Sequence, residues 1–344
     1  MLLSEFDFEL PPELIAQKPT EERTASRMMT LNRADESISL GLFSDLSANM
    51  QPDDLLVLND TQVIPARLLG HKETGGRIEV FLVRRLDESE ESWACLTKSS
   101  KTPKPGTRIL FTDGLEGRVL PGGDNTLKHV VFSAPGDVAA ALDRVGRMPL
   151  PPYIDREPEI EDRDRYQTVF ARNAGALAAP TAGLHFSQEY LESLKQTGVE
   201  VAFITLHVGL GTFLPVRTDD VTEHRMHSEQ YSIAPDVADT INRARIDGRR
   251  IVAVGTTVAR ALESAVSMQD GTVQSGTKET EIFIRPGYRF KIVDALLTNF
   301  HLPRSTLLML ISAFAGKEYV LCAYERAVKE RMRFFSYGDC MFIQ

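Results

Sequence analysis

Along residues 175 to 208 the spacing of apolar positions changes three times, and each change predicts an element. Gly175 to Ala179 is small and apolar enough for a buried strand. From Ser187 to Thr197 the apolar side chains Tyr190, Leu191 and Leu194 fall on one helical face. Ser187 is placed to cap that helix, and Gly198 stands where a left-handed residue ends it. Val199 to Val208 then alternates as a strand, with Thr205 and His207 on one face and Ile204, Leu206 and Val208 on the other. The result is a strand, loop, helix, strand unit with His185 and His207 at its two junctions, where ligands collect in open α/β sheets.

The same alternation recurs downstream. Arg250 to Val254 reads as a buried strand entering Gly255-Thr256-Thr257, followed by a helix from Val258 to Val266 that sets Arg260 and Glu263 on one side. Asp294 to Thr298 is a strand leading to Asn299-Phe300-His301, and the next helix is expected to begin at Pro303. Further elements are a strand at Asp54 to Leu58, a helix at Pro235 to Asp247, a strand at Glu281 to Ile284 and a C-terminal helix at Tyr319 to Arg333. Residues before Arg27, with their Pro11-Pro12 turn, read as a solvated linker apart from a helical turn at Glu13 to Gln17.

Between Arg67 and Ala134 the texture differs. Arg77 to Arg84, Ser92 to Thr97, Thr107 to Thr112, Glu116 to Leu120 and Lys128 to Phe132 are short strands separated by turn residues, with no helix among them. The expected fold is therefore an α/β main domain of residues 1–66 plus 148–344, with a small all-β barrel of residues 67–147 inserted. The stiff run Pro149-Leu150-Pro151-Pro152 marks the return crossing.

Composition narrows the function. A chain of 344 residues with 42% hydrophobic content can bury a large core, and its net charge of −9 argues against broad adhesion to nucleic acid. Contacts with a phosphate backbone must be local, as in the loop carrying Lys98, Lys101, Lys104 and Arg108 without an acid. Three scattered cysteines fit a reducing compartment and supply no metal site; the acidic N-terminus lacks the features of a signal peptide, and no apolar run spans a bilayer. His224, His227 and Glu229 fail the spacing of a zinc helix. Gly209-Leu210-Gly211 lacks the third glycine of a dinucleotide fingerprint, and Gly271 to Lys278 lacks the Gly-Lys-Ser/Thr of a phosphate loop.

PTAGLHF at Pro180 to Phe186, TLHVGLGTF at Thr205 to Phe213, NDTQVIPARL at Asn59 to Leu68, TNFHLPRSTLLML at Thr298 to Leu310 and RFFSYGD at Arg333 to Asp339 occur with PLPPYI and RYQTVFA between them. Together they resemble the S-adenosylmethionine:tRNA ribosyltransferase-isomerase family of queuosine biosynthesis, over essentially the whole chain. The resemblance implies a cytoplasmic, monomeric enzyme with an α/β barrel-like domain and an inserted β-barrel. It implies S-adenosylmethionine as ribosyl donor and no metal. The partner is tRNA bearing 7-aminomethyl-7-deazaguanine at the wobble position, and the products are epoxyqueuosine, adenine and methionine.

Proton removal next to the sulfonium suits a histidine, and the candidates are His185, His207 and His301. The motifs place donor or base binding at Asn59, Asp60, Thr181, Gly183, Phe186, Thr205, Gly209, Phe213, Thr256, Thr257, Arg260, Glu263, Asn299, Tyr337 and Asp339. Phe186 or Phe213 would lie against the sulfonium. Contacts with tRNA fall to Arg23, Arg27, Lys98, Lys101, Lys104, Arg108, Lys329, Arg331 and Arg333. Gln62 stands where the family commonly has arginine, so no charged phosphate contact is expected there. Two other readings are an S-adenosylmethionine-dependent methyltransferase, disfavoured by the missing fingerprint, and a non-catalytic tRNA-binding protein.

Overall fold

The computed structural model describes residues 1–87, 89–124, 126–209 and 218–344. The chain divides into a larger unit (Met1–Gln62, Pro151–Glu157 and Asp164–Gln344) and a smaller one (Val63–Leu150 and Pro158–Arg163).

The larger unit is built on β1 (Arg27–Asn32), β2 (Ser37–Leu42), β3 (Leu55–Asn59), β12 (Glu200–Leu206), β13 (Glu229–Ile233), β14 (Ile251–Val254), β15 (Gly276–Thr280), β16 (Ala295–Asn299) and β17 (Cys340–Ile343). They form one nine-stranded sheet in the order β15-β13-β12-β3-β14-β16-β17-β1-β2. The four central strands β12, β3, β14 and β16 run parallel, so their C-terminal ends share one edge. Two short strands, β4 (Thr61–Val63) and β11 (Asn173–Ala176), form a separate ladder.

Every residue of β3, β14, β16 and β17 is buried, as a sheet covered on both faces requires. Alternation splits them between two cores. Leu56 and Leu58 pack with Phe43, Phe186, Leu191 and Leu194, whereas Leu55 and Val57 pack with Ile241, Leu262, Ile311 and Val320. The helices are α1 (Leu46–Asn49), α2 (Val138–Val145), α3 (Asp162–Arg165), α4 (Gln188–Gln196), α5 (Pro235–Ile246), α6 (Thr256–Ser264), α7 (Thr306–Ala315) and α8 (Lys317–Lys329). Of these, α4 contributes to the first core and α5 to α8 to the second. Helices α7 and α8 bend by 116° at Gly316; no single described helix is long and apolar enough to cross a membrane.

Ser187 caps α4 as its position suggests, accepting from Tyr190 N at 3.1 Å. Three expectations need correction. Helix α7 begins at Thr306, because Ser305 takes the cap and accepts from Leu308 N at 3.2 Å, while Arg304 turns left-handed with φ 57°. Glu281 to Ile284 is not a strand: the polar edge strand β15 just before it pairs with β13 instead. The segment before Arg27 is no solvated linker either, for Phe6 and Leu14 are buried in the core and β1 begins at Arg27 itself.

The smaller unit contains β5 (Arg67–Lys72), β6 (Arg77–Asp87), β7 (Ser92–Lys98), β8 (Arg108–Leu110), β9 (Glu116–Val119) and β10 (Lys128–Ser133). They close an antiparallel barrel in the order β10-β7-β6-β5-β8-β9, which leaves no sheet edge unpaired. Leu68, Val80, Cys95, Ile109 and Val130 are buried within it. Helix α2 follows, with Asp137 accepting from Ala139 N at 2.9 Å as its cap.

Candidate active site

The shared C-terminal edge of β12, β3, β14 and β16 gathers Asn59, His207, Gly255 and Asn299 at consecutive strand ends. Asn59 is buried and holds the chain in place. Its Nδ2 donates to Leu206 O at 2.9 Å and its Oδ1 accepts from Leu206 N at 3.0 Å and Thr61 N at 3.1 Å. That clamp turns β3 sharply into Asp60. The Asp60 carboxylate, nearly buried, accepts from Thr205 Oγ1 at 2.7 Å and Asn173 Nδ2 at 3.1 Å. Thr61, which falls within the NDTQVIPARL run, and Asn173, which no sequence signal marks, complete this cluster.

His207 sits at the same cluster. Its Nδ1 lies 2.8 Å from Thr61 Oγ1, and Thr61 Oγ1 also reaches Asn173 O at 3.4 Å. When the hydroxyl gives its single hydrogen to Asn173 O it can only accept from His207 Nδ1–H, which leaves Nε2 as the basic nitrogen. No hydrogen bond engages Nε2 among the described residues. Partial burial lowers the His207 pKa, and the nearby Asp60 charge opposes that effect. Gly175 makes the ring position possible, since a Cβ there would lie 2.9 to 3.1 Å from ring atoms of His207, at φ 151°.

The other two histidines are placed differently. His301 is buried, its Nε2 is 3.0 Å from Thr298 Oγ1, its backbone N donates to Tyr324 Oη at 2.9 Å, and burial pushes its pKa down to about 3. His185 ends the short turn Thr181–His185, is 3% exposed and stacks on Phe43 with ring centroids 5.4 Å apart. Burial pushes its pKa down to about 4; the Asn299 carboxamide pulls upward, and Arg333 and Arg23 push further down. No well-formed hydrogen bond joins His185 to Asn299, and both His185 Nε2 and Asn299 Oδ1 are buried without a partner.

Asn299 Nδ2 instead donates to Phe335 O at 2.9 Å, which ties β16 to the turn after α8. That turn is tight. Phe335 has φ 72°, and a Cβ on Gly338 would fall 2.5 Å from Arg333 O. Asp339 accepts from Arg27 N at 2.9 Å and Arg333 N at 2.8 Å, while burial raises its pKa. Tyr337, Ser336 and Gly338 of the turn line a cleft together with His185, Arg23 and Arg165.

Several predicted positions lie elsewhere or serve other partners. Thr181 and Gly183 belong to the turn that leads to His185, and Phe186 is fully buried against Phe43 and Phe170. Thr256 and Thr257 open α6. Arg260 pairs with Glu229, both about 95% buried, and Glu263 accepts from Tyr288 Oη and the backbone amides of Lys291, Ile292 and Val293 at 2.9 to 3.1 Å. Gly209 has open space beside its Cα, and Phe213 lies outside the described residues.

Arg27 donates to Glu330 O, and Arg333 to Lys18 O. Lys98, Lys101, Lys104 and Arg108 are exposed in the smaller unit, with Arg108 paired to Glu116 at 2.8 Å; Lys329 and Arg331 are exposed at the end of α8. Among the described residues no group of three or more His, Cys, Asp or Glu is placed to hold a metal. His224 stacks edge-on to Phe283.

Residues 3–343 match the family described as queuosine biosynthesis protein. The chain is 61% identical to the S-adenosylmethionine:tRNA ribosyltransferase-isomerase of Syntrophotalea carbinolica and 56% identical to that of Citrifermentans bemidjiense, each over the full length of both chains. Among solved structures, the S-adenosylmethionine tRNA ribosyltransferase of Thermotoga maritima is similar with a TM-score of 0.56 and 38% identity, covering 99% of this chain and 100% of that one.

Proposed function

The chain belongs to the queuosine biosynthesis protein family, and from that premise we propose that it transfers and isomerises the ribosyl group of S-adenosylmethionine onto a base of tRNA. The acceptor is 7-aminomethyl-7-deazaguanine at the wobble position, and the products are epoxyqueuosine in tRNA, adenine and methionine. The enzyme works as a monomer in the cytoplasm, where its tRNA is. The observation that carries this reading is the full-length likeness to enzymes of that name, together with a neutral histidine at the edge where the parallel strands end.

His207 is the proton acceptor. The sulfonium charge acidifies the adjoining 5′ carbon, and a neutral imidazole with one nitrogen anchored and the other unengaged suits removal of that proton. Loss of that proton lets the C4′–O4′ bond break and adenine leave C1′, giving an aldehyde and a vinyl sulfonium. The amine of the deazaguanine base adds at C4′, the resulting ylide carbon closes on the aldehyde carbon, and the oxygen formed there displaces methionine from C5′ as the epoxide. Asp60, held by Thr205 and Asn173, supplies a fixed negative charge that favours the imidazolium once it has formed. His301, buried and bonded to Thr298, is suited to holding the β16 end in place and not to proton transfer.

The test is to incubate the protein with S-adenosylmethionine and tRNA bearing the aminomethyl base, then identify digested nucleosides and released small molecules by mass spectrometry. Epoxyqueuosine with free adenine and methionine is the expected result. A methylated nucleoside with S-adenosylhomocysteine would mean methyl transfer, and folded protein that binds tRNA without consuming the donor would mean a binding module.

A further inference from the structure

The cleft beside His185 carries positive charge that the fold does not neutralise. Arg23 Nη1 and Nη2 donate to Leu184 O at 3.1 Å and Asp164 O at 2.8 Å. Arg165 donates in the same way to Glu21 O at 3.1 Å and Thr20 O at 2.5 Å, and its Nε is buried without a partner. Neither arginine forms an ion pair among the described residues. In a chain of net charge −9, two half-buried guanidiniums that touch only neutral carbonyls are unusual.

The neighbouring charges do not cancel them. Burial lowers the Arg23 pKa, and the next cause is repulsion by Arg165, ahead of the opposing effects of Tyr337 and Asp164. Asp339 is committed to two backbone amides. His185 lines the same cleft, and its buried Nε2 is unpartnered. The site is therefore short of one ligand that is anionic and accepts hydrogen bonds.

We propose that this cleft binds the α-carboxylate of S-adenosylmethionine, with Arg23 and Arg165 as its counter-ions and His185 Nε2 as a neutral donor. The assignment rests on the functional reading above. Depth favours a small carboxylate over a tRNA phosphate: the unpartnered nitrogens that face the cleft, His185 Nε2 and Arg165 Nε, are fully buried. Phosphates on an RNA surface are met by exposed cations, and Lys98, Lys101 and Lys104 are of that kind.

Calorimetric titration of the wild-type protein with S-adenosylmethionine and with its decarboxylated analogue tests this directly. The carboxylate form should bind about tenfold to a hundredfold more tightly, the range for hydrogen bonds to charged groups. Arg165→Gln and Arg23→Gln should close that gap while leaving the analogue's affinity unchanged. Because Arg165 also braces Thr20 and Glu21, the wild-type comparison decides the question even if the variant folds poorly. Equal wild-type affinity for the two ligands overturns the carboxylate site and leaves the functional reading intact. Binding of neither ligand, with tRNA present as well as without it, overturns both. A variant that keeps its preference for the carboxylate form but binds tRNA with a shallower salt dependence would assign the arginines to phosphate and refute the proposal.

Discussion

Two buried polar clusters of the larger unit look alike by burial and differ in what they leave uncommitted. Beneath α6, Glu263 accepts from four donors, Tyr288 Oη and the amides of 291–293, and Arg260 is paired with Glu229, with Arg260 Nη2 left without a hydrogen-bond partner among the described residues. At the strand ends and the adjoining cleft, among the described residues, no hydrogen bond engages His207 Nε2, His185 Nε2 and Asn299 Oδ1 have no partner, and Arg23 and Arg165 form no ion pair. The first cluster locks a loop onto a helix. The second holds bonding capacity ready for something outside the protein. Buried charge alone thus marks architecture as readily as chemistry, and the distinction lies in whether the charge is already matched, as Arg260 is by Glu229 and Glu263 by its four donors.

The strongest attempt to break this contrast is His207→Ala. Turnover should fall about 10²- to 10⁴-fold in single-turnover assays while the melting temperature barely moves. Near-normal turnover would remove His207 from the chemistry. Glu263→Gln should do the reverse, costing about 3 kcal/mol in urea unfolding, because buried amides lose their acceptor, with kcat per folded molecule unchanged. A loss of kcat at full stability would move Glu263 into the active site.

Gly175→Ala sharpens the contrast within one cluster. Its methyl group would displace the His207 ring, and about a tenfold drop in kcat with little change in donor affinity is expected. The pH dependence of stability is smaller still. His185 and His301 have folded pKa values of about 4 and about 3, below the unfolded value near 6.5, so their neutral forms are favoured by folding. Their contribution is complete above pH 6.5 and is lost as pH falls toward 4, at up to about 1.4 kcal/mol per pH unit for each. His301→Gln should flatten that slope in pH-dependent denaturation, and an unchanged slope would show that His301 does not contribute. The smallest effect concerns the exposed lysines. Replacing Lys98, Lys101 and Lys104 should lower the salt dependence of tRNA binding by roughly 0.7 to 0.9 for each phosphate that is no longer neutralised, and an unaltered slope would take that loop away from the tRNA.

Legibility in the sequence followed the length over which a physical signal repeats. Helix α4 with its Ser187 cap, the parallel strands β3, β12, β14 and β16, and five of the six barrel strands carry periodic or turn signals that survive in one dimension. Strands β1, β2, β4, β5, β13, β15 and β17 went unread. Strand β15 is polar and mostly exposed, and β1 and β17 owe their state to each other across more than 300 residues of chain.

The candidate site followed the same rule. Histidines at strand ends stood out, but Asn173, Thr61 and Arg165 matter through partners that no local pattern announces. Arg260 and Glu263 showed the converse, since their helical spacing was visible whereas the acceptor Glu229 and the amides of 291–293 were not.

Strand β17 lies between β16 and β1, parallel to β1 and antiparallel to β16. Strands β1 and β2 therefore join the sheet only through residues 340–343. On the ribosome these two strands leave the exit tunnel roughly 300 residues before their dock exists, a wait of about 15 to 60 s at ordinary elongation rates. Throughout that interval Met28, Met29 and Leu31, all destined for the core, are without their native cover. The nascent chain thus carries the apolar side of the β1–β2 hairpin without its native neighbour strand for most of its synthesis.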